Sequence, residues 1–207
     1  MRIRLLTFLL LGCVIAIAGC SRKMQESKTP ESEVLKPESA HAPDNPAAAA
    51  SNEGLKFTAP SGWIAESPAS SSRRAQYRLT CAKGDSEDAE LVIYYFGGGG
   101  GTIQANVDRW IGQFAKPDGT PASDTAKVTH KNINGISVTI VDVSGIYAGS
   151  MMAMQQSAKP KTHYRMLGAI AETGNGPWFV KLTGPANTVG KWQSSFQSFI
   201  ESMHQGS

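Results

Sequence analysis

The side chains with the most chemical interest lie just beyond a run of five glycines. Asn106, Arg109 and Gln113 recur at three- and four-residue intervals, so a helix sets them along one polar flank beside its apolar stripe. They are the candidate binding residues. The first expectation for Asn106 and Arg109 is that they brace neighbouring loops, with ligand contact second. A strand, a glycine turn and a helix is also the arrangement that cradles phosphates on backbone N–H groups. Here no Lys-Ser or Lys-Thr follows the glycines, and no acidic residue ends a following parallel strand, so a free turn is expected instead. No Gly-x-Ser-x-Gly, His-Glu-x-x-His, Cys-x-x-Cys or Ser-x-x-Lys occurs, and no catalytic residue or cofactor is expected. His130, His163 and His204 are isolated in the chain, while Asp108, Asp142 and Glu172 form a carboxylate pair only if the fold brings two of them together. Met151, Met152 and Met154 cluster after Tyr147. Thioethers prefer Cu(I), which makes these three the metal candidates; the plainer expectation is adaptable packing.

The elements that position the polar flank are legible. Leu91 to Phe96 is an unbroken apolar, β-branched and aromatic run, which predicts a strand buried on both faces. Gly97 to Gly101 end it, and the Thr102 hydroxyl is placed to cap a helix. Ile103, Val107, Trp110, Ile111 and Phe114 then form one stripe at helical period, stopped by Pro117 and Gly119.

Around this centre the expected strands follow from alternation and turn chemistry. Leu55–Ala59 and Ile64–Glu66 flank the turn Pro60-Ser61-Gly62-Trp63. In 73–81, Ala75, Tyr77, Leu79 and Cys81 alternate with polar residues, which predicts one wet face. Asn134-Gly135 joins Thr125–Ile133 to Ile136–Tyr147, a strong hairpin signal. Thr162–Glu172 and Trp178–Thr183 form a second hairpin through Gly174 and Asn175. Past Gly184-Pro185, a closing helix carries Val189, Trp192, Phe196, Phe199, Ile200 and Met203 on one stripe. The pattern predicts an α+β domain over 54–207, an antiparallel sheet of about six strands sandwiched with two helices. Cys81 is expected to be half-buried and structural, with no second cysteine in that domain to pair with.

The N-terminus gives a cellular address. Arg2 and Arg4 precede the apolar stretch Leu5–Ala18, a secretory signal too short for a comfortable membrane span. Its end, Ile17-Ala18-Gly19-Cys20, resembles the lipobox of bacterial lipoproteins. That resemblance implies cleavage after residue 19 and lipidation of Cys20. Ser21 stands where an inner-membrane retention signal carries Asp, so in a cell with two membranes the resemblance implies an outer-membrane, periplasm-facing address, and in a cell with one membrane anchoring to the cell membrane. Residues 20–53 are rich in Pro, Ala, Ser and Glu and nearly free of large apolar residues, as expected of a disordered tether. As a coil it would span on the order of 30 Å. Residues 54–207 carry fourteen basic and eleven acidic side chains without basic runs, which excludes a nucleic-acid footprint.

The opening Phe57-x-x-Pro60-x-Gly62-Trp63, the helix after the middle strand, the paired C-terminal strands and the closing helix with Phe196 and Phe199 resemble the PsbP-like family. That family includes the PsbP proteins of photosystem II and a nuclear Ran-binding relative. Asn106, Arg109 and Trp110, as Asn-x-x-Arg-Trp after a glycine run, also resemble a group of bacterial lipoproteins. These resemblances imply a non-catalytic binding or assembly module with a protein partner. The rival expectation is a small hydrolase or ligand-binding domain with a cleft near Gly97–Gly101 and Arg109.

Overall fold

The computed structural model describes residues 54–149 and 159–206. Cys20, the signal and tether, and Met151, Met152 and Met154 lie outside the described residues. Among the described residues ten strands occur in chain order: β1 (Leu55–Lys56), β2 (Ile64–Glu66), β3 (Arg73–Leu79), β4 (Ala89–Tyr95), β5 (Phe114–Ala115), β6 (Lys127–Ile133), β7 (Ile136–Tyr147), β8 (Lys161–Thr173), β9 (Gly176–Pro185) and β10 (His204–Gln205). The α-helices among the described residues are α1 (Ile103–Ile111), α2 (Ala186–Lys191) and α3 (Gln193–Glu201). Eight strands form one antiparallel sheet in the order β2-β3-β4-β9-β8-β7-β5, with β6 also on β7. β1 and β10 pair separately, Leu55 opposite Gln205. The fold is α+β, as the sequence predicts.

Alternation along the central strands sends side chains into two cores. On β8, Leu167, Ala169 and Ala171 face one side, and Met166 and Ile170 face the other. The first side is covered by the closing helices and the opening segment. Phe57 and Trp63 both pack on Phe199, with ring centroids 5.2 and 5.1 Å away. The Trp63 indole donates to Ser195 Oγ at 3.1 Å, so the Phe57–Trp63 motif docks the chain's start onto α3. Gly62 has φ +84°, the position that a Pro-Ser-Gly-Trp turn requires of glycine, and a Cβ there would meet the Trp192 ring at 3.0 Å. On the second side α1 lays Val107 and Trp110 over Val141, Val143, Met166, Ile170 and Phe179.

Several boundaries differ from the sequence reading. α1 stops at Ile111 with Gly112 as its cap, and Phe114 belongs to β5, opposite Tyr147. Its burial, read as the end of the helical stripe, comes from that strand pairing. Phe96 is 45% exposed, because β4 ends at Tyr95 and the chain leaves the sheet there. The closing helix breaks at Trp192, whose indole donates to Thr80 O at 2.9 Å. β1 keeps only the first two residues of the stretch expected over Leu55–Ala59, and the additional strands β5 and β10 have two residues each, too few to show a period.

α1 seats on the sheet through one close approach. A Cβ on Gly168 of β8 would lie 2.6 Å from the Trp110 ring. Gly168→Ala is expected to cost about 1–3 kcal/mol by overpacking, read as a lower urea midpoint. Trp110→Leu in the same chain should cost less in the Gly168→Ala background than alone.

Candidate functional site

α1 covers the β7 and β8 end of its face and leaves the β4 and β9 side open. A groove of about 430 Å³ lies there. Its floor is Val92, Tyr94, Lys181 and Thr183, and its walls include Arg73 with Glu90, Tyr147, and Glu87 with Lys161 and Tyr164. A smaller hollow of about 210 Å³ continues from it under α1, sharing Tyr94 and Lys181. Phe96, Trp110, Phe179, Arg109 and Gln113 complete that slot. Its rings form a ladder: Tyr94 stacks on Phe96 at 6.0 Å, Phe96 tilts on Phe179 at 5.7 Å, and Trp110 meets Phe179 edge-on at 6.3 Å.

The glycine run shapes this slot by close packing. Gly100 has φ +102°, and a Cβ there would touch Phe179 and Phe96 at 3.0 and 3.1 Å. A Cβ on Gly176, in the β8–β9 hairpin, would lie 2.4 Å from Gly98 Cα. Backbone therefore passes over aromatic rings and over backbone where no side chain fits. Asn106, buried under α1, donates from Nδ2 to Gly100 O and Thr102 O, both at 2.8 Å. Thr102 Oγ1 accepts from Ala105 N at 3.2 Å, the cap that the sequence predicts.

The polar flank read from the sequence comes together. Arg109 donates to Asn106 Oδ1, and Gln113 Oε1 accepts from Lys181 Nζ at 2.5 Å. Asn106 and Arg109 thus brace the glycine turn, and Arg109 and Gln113 also line the slot. Lys181 escaped sequence reasoning because it lies on β9 among Val180 and Leu182, with nothing to distinguish it from an outward strand lysine. Strand alternation over a sheet expected to be covered on both faces was the signal available.

Electrostatically the groove falls into two parts. Around its rim each carboxylate has a cation: Glu90 takes Arg73 at 2.9 Å, Asp88 takes Arg78 at 2.9 Å, and Glu87 takes Lys161 together with the Tyr164 hydroxyl at 2.6 Å. The Lys161 ammonium holds Glu87 below the usual carboxylate range, and the Arg78 guanidinium does the same to Asp88. Lys181 is different. Burial, then the nearby Arg109 charge, lowers its amine to about 8. Among the described residues no carboxylate pairs with Lys181 or Arg109 within 4.0 Å, and both are held by amide oxygens. The Tyr147 ring lies 5.6 Å from Lys181 Nζ. Burial raises the phenols of Tyr94, Tyr147 and Tyr164, which therefore stay protonated.

No protein-family model matches the chain, and no curated protein matches it. Among solved structures it is similar to the solution structure of cyanobacterial PsbP (CyanoP) from Synechocystis sp. PCC 6803, at TM-score 0.45 and 14% identity, over 74% of this chain and 87% of that one. It is also similar to the crystal structure of a protein of unknown function, PA94, from Pseudomonas aeruginosa, at TM-score 0.41 and 13% identity, over 73% of this chain and 96% of that one.

The remaining sequence candidates are dispersed. Asp108 accepts from Gln104, Asp142 takes both Arg165 nitrogens at 2.8 Å, and Glu172 accepts from Ser137. His130 contacts Thr139 Oγ1 and His204 contacts Ser202 O. Cys81 is half-buried, its own N–H donating to Asp88 at 2.8 Å. Among the described residues no three His, Cys, Asp or Glu side chains gather to hold a metal. A second hollow of about 570 Å³ holds Lys116, Lys127 and Arg165, but Lys116 and Arg165 are neutralised there by Asp124 and Asp142.

The Lys181 environment predicts a pH signature. Its folded pKa lies below the unfolded value, so the unfolded chain binds the extra proton between about pH 8 and 10, and the lysine's cost to stability falls as pH rises. Lys181→Met removes that cost. The variant's stability advantage over the natural protein should shrink by up to about 2 kcal/mol between about pH 8 and 9.5, read from paired urea titrations. A constant gap would place the amine in water.

Proposed function

We propose that this protein is a lipoprotein, anchored through Cys20 on the periplasmic side of the outer membrane, whose α+β unit is a non-catalytic binding module. Its recognition site is the groove and slot that meet at Lys181. The carrying observation is this concave, aromatic-walled cleft beside Arg109. A flat protein-docking face has less support. The large apolar residues exposed among the described ones are Ile64 on β2, Phe96 after β4 and Val128 on β6, scattered rather than contiguous.

The non-catalytic reading is supported by the rim carboxylates Glu87 and Asp88, which are engaged by Lys161, Arg78 and the Tyr164 hydroxyl and held on the acidic side. Such groups neither donate nor take protons efficiently near neutral pH. Lys181 favours a second reading, because an amine near 8 can serve as a general base in a hydrolase. A panel of p-nitrophenyl esters separates the two: turnover that disappears in Lys181→Met supports the enzyme, and none supports the binder.

The anchor has its own test. Metabolic labelling with palmitate should mark the natural chain and leave Cys20→Ser unmarked and free of the membrane fraction; equal labelling of both overturns the anchor. A photocrosslinker at Tyr147, on the groove wall, should give adducts in intact cells, whereas one at the exposed Glu201 on α3 should not. Equal adduct patterns from both positions would remove the groove as the recognition site.

A further inference from the structure

Two positive side chains meet at the mouth of the slot, and among the described residues neither has a negative partner there. Arg109 reaches in from α1 and Lys181 from β9, close enough for the arginine charge to push the lysine toward neutrality. Their acceptors are the amide oxygens of Asn106 and Gln113, which satisfy hydrogen-bonding capacity but supply no charge. Glu90, whose charge offsets only a small part of this at Lys181, is itself held by Arg73. Everywhere along the rim the opposite holds, each carboxylate closing on a cation. An uncompensated pair of cations in a partly dry recess is a cost that a bound anion would relieve. Immediately beside them, Phe96, Trp110 and Phe179 wall a hollow that is apolar on three sides and has room for one small ring.

We infer that this slot takes a small flat anion, with a carboxylate or phosphate between Lys181 Nζ and the Arg109 guanidinium and an apolar ring against Phe96, Phe179 and Trp110. The inference rests on the binding-module reading and adds the chemical class of the ligand. Asn106 and Gln113 are positioning residues, aiming the two cations. Arg109 offers a planar fork suited to either acidic group, and Lys181 a point charge at the floor.

The test uses the full chain in non-ionic detergent, with benzoate, phenylphosphate, inorganic phosphate and the uncharged benzyl alcohol as probes. Binding is read by calorimetry and by Trp fluorescence, since Trp110 lines the slot. Benzoate or phenylphosphate should saturate at about millimolar concentration or below, and whichever binds more tightly identifies a carboxylate or a phosphate as the natural head group. Benzyl alcohol and inorganic phosphate should each bind at least about tenfold more weakly, a difference of about 1.4 kcal/mol. Lys181→Met and Arg109→Gln should each weaken the aryl anion by a similar factor, while Lys181→Arg, which keeps the charge, should retain most of the affinity. Urea midpoints confirm that each variant is folded. The inference is overturned by no saturation with either aryl anion, by benzyl alcohol binding equally well, or by unchanged affinity in both charge-removing variants. It is equally overturned if inorganic phosphate matches phenylphosphate, since the ring would then contribute nothing. Adducts from Tyr147 in cells alongside any of these failures would leave the binding module standing with a different ligand; loss of the adducts as well would remove both.

Discussion

Covering two faces of one sheet with very unequal amounts of helix is the constraint from which the rest follows. A nine-residue helix is about 13 Å long and 10 Å across, while seven strands side by side span roughly 30 Å. The closing helices and the opening segment together seal one face with Phe57, Trp63, Phe196 and Phe199. On the other, among the described residues, α1 and the turn at Ala122 shelter little more than β7, β8 and the near edge of β9. What it leaves bare must be compatible with water, and the strands answer with Tyr94, Lys181 and Thr183 at positions where a covered sheet would carry aliphatics. Among the described residues the groove is thus the part of the sandwich that no helix covers, and its composition follows from that geometry.

Where α1 sits is decided by pairs of small and large residues. Gly168 lets Trp110 lie flat on β8, and Gly100 lets the chain cross Phe179 and Phe96 before the helix begins. Asn106 then ties the helix to the turn that precedes it by two carbonyl contacts. The short helix is therefore fixed at its start, where the turn is pinned, and at its middle, where the indole is seated. The slot lies between those two fixings, so its walls are among the best-held side chains of the open face.

Much of this architecture is written locally. The hairpin at Asn134-Gly135 has φ of 51° and 83°, which the Asn-Gly pair prefers by itself, and the Thr102 cap and the wet face of β3 are equally local. What stays hidden depends on long-range placement. Phe114 fits the helical stripe as well as it fits a strand, and only Tyr147, thirty-three residues later, decides between them. Likewise Asn106, Arg109 and Gln113 announce a polar flank, but no spacing rule connects them with Lys181 on the last long strand. The site is half legible: its helix side by periodicity, its sheet side only once the strand order is known.

The pairing of β1 with β10 has a consequence of its own. Leu55 and Gln205 stand opposite one another, and Gly206 N reaches Gly54 O at 3.3 Å, so the first and last segments of this unit share a single seam. Neither can peel away without releasing the other. Force or fraying that starts at one terminus must therefore register at both, as a zip fastened by its two tails.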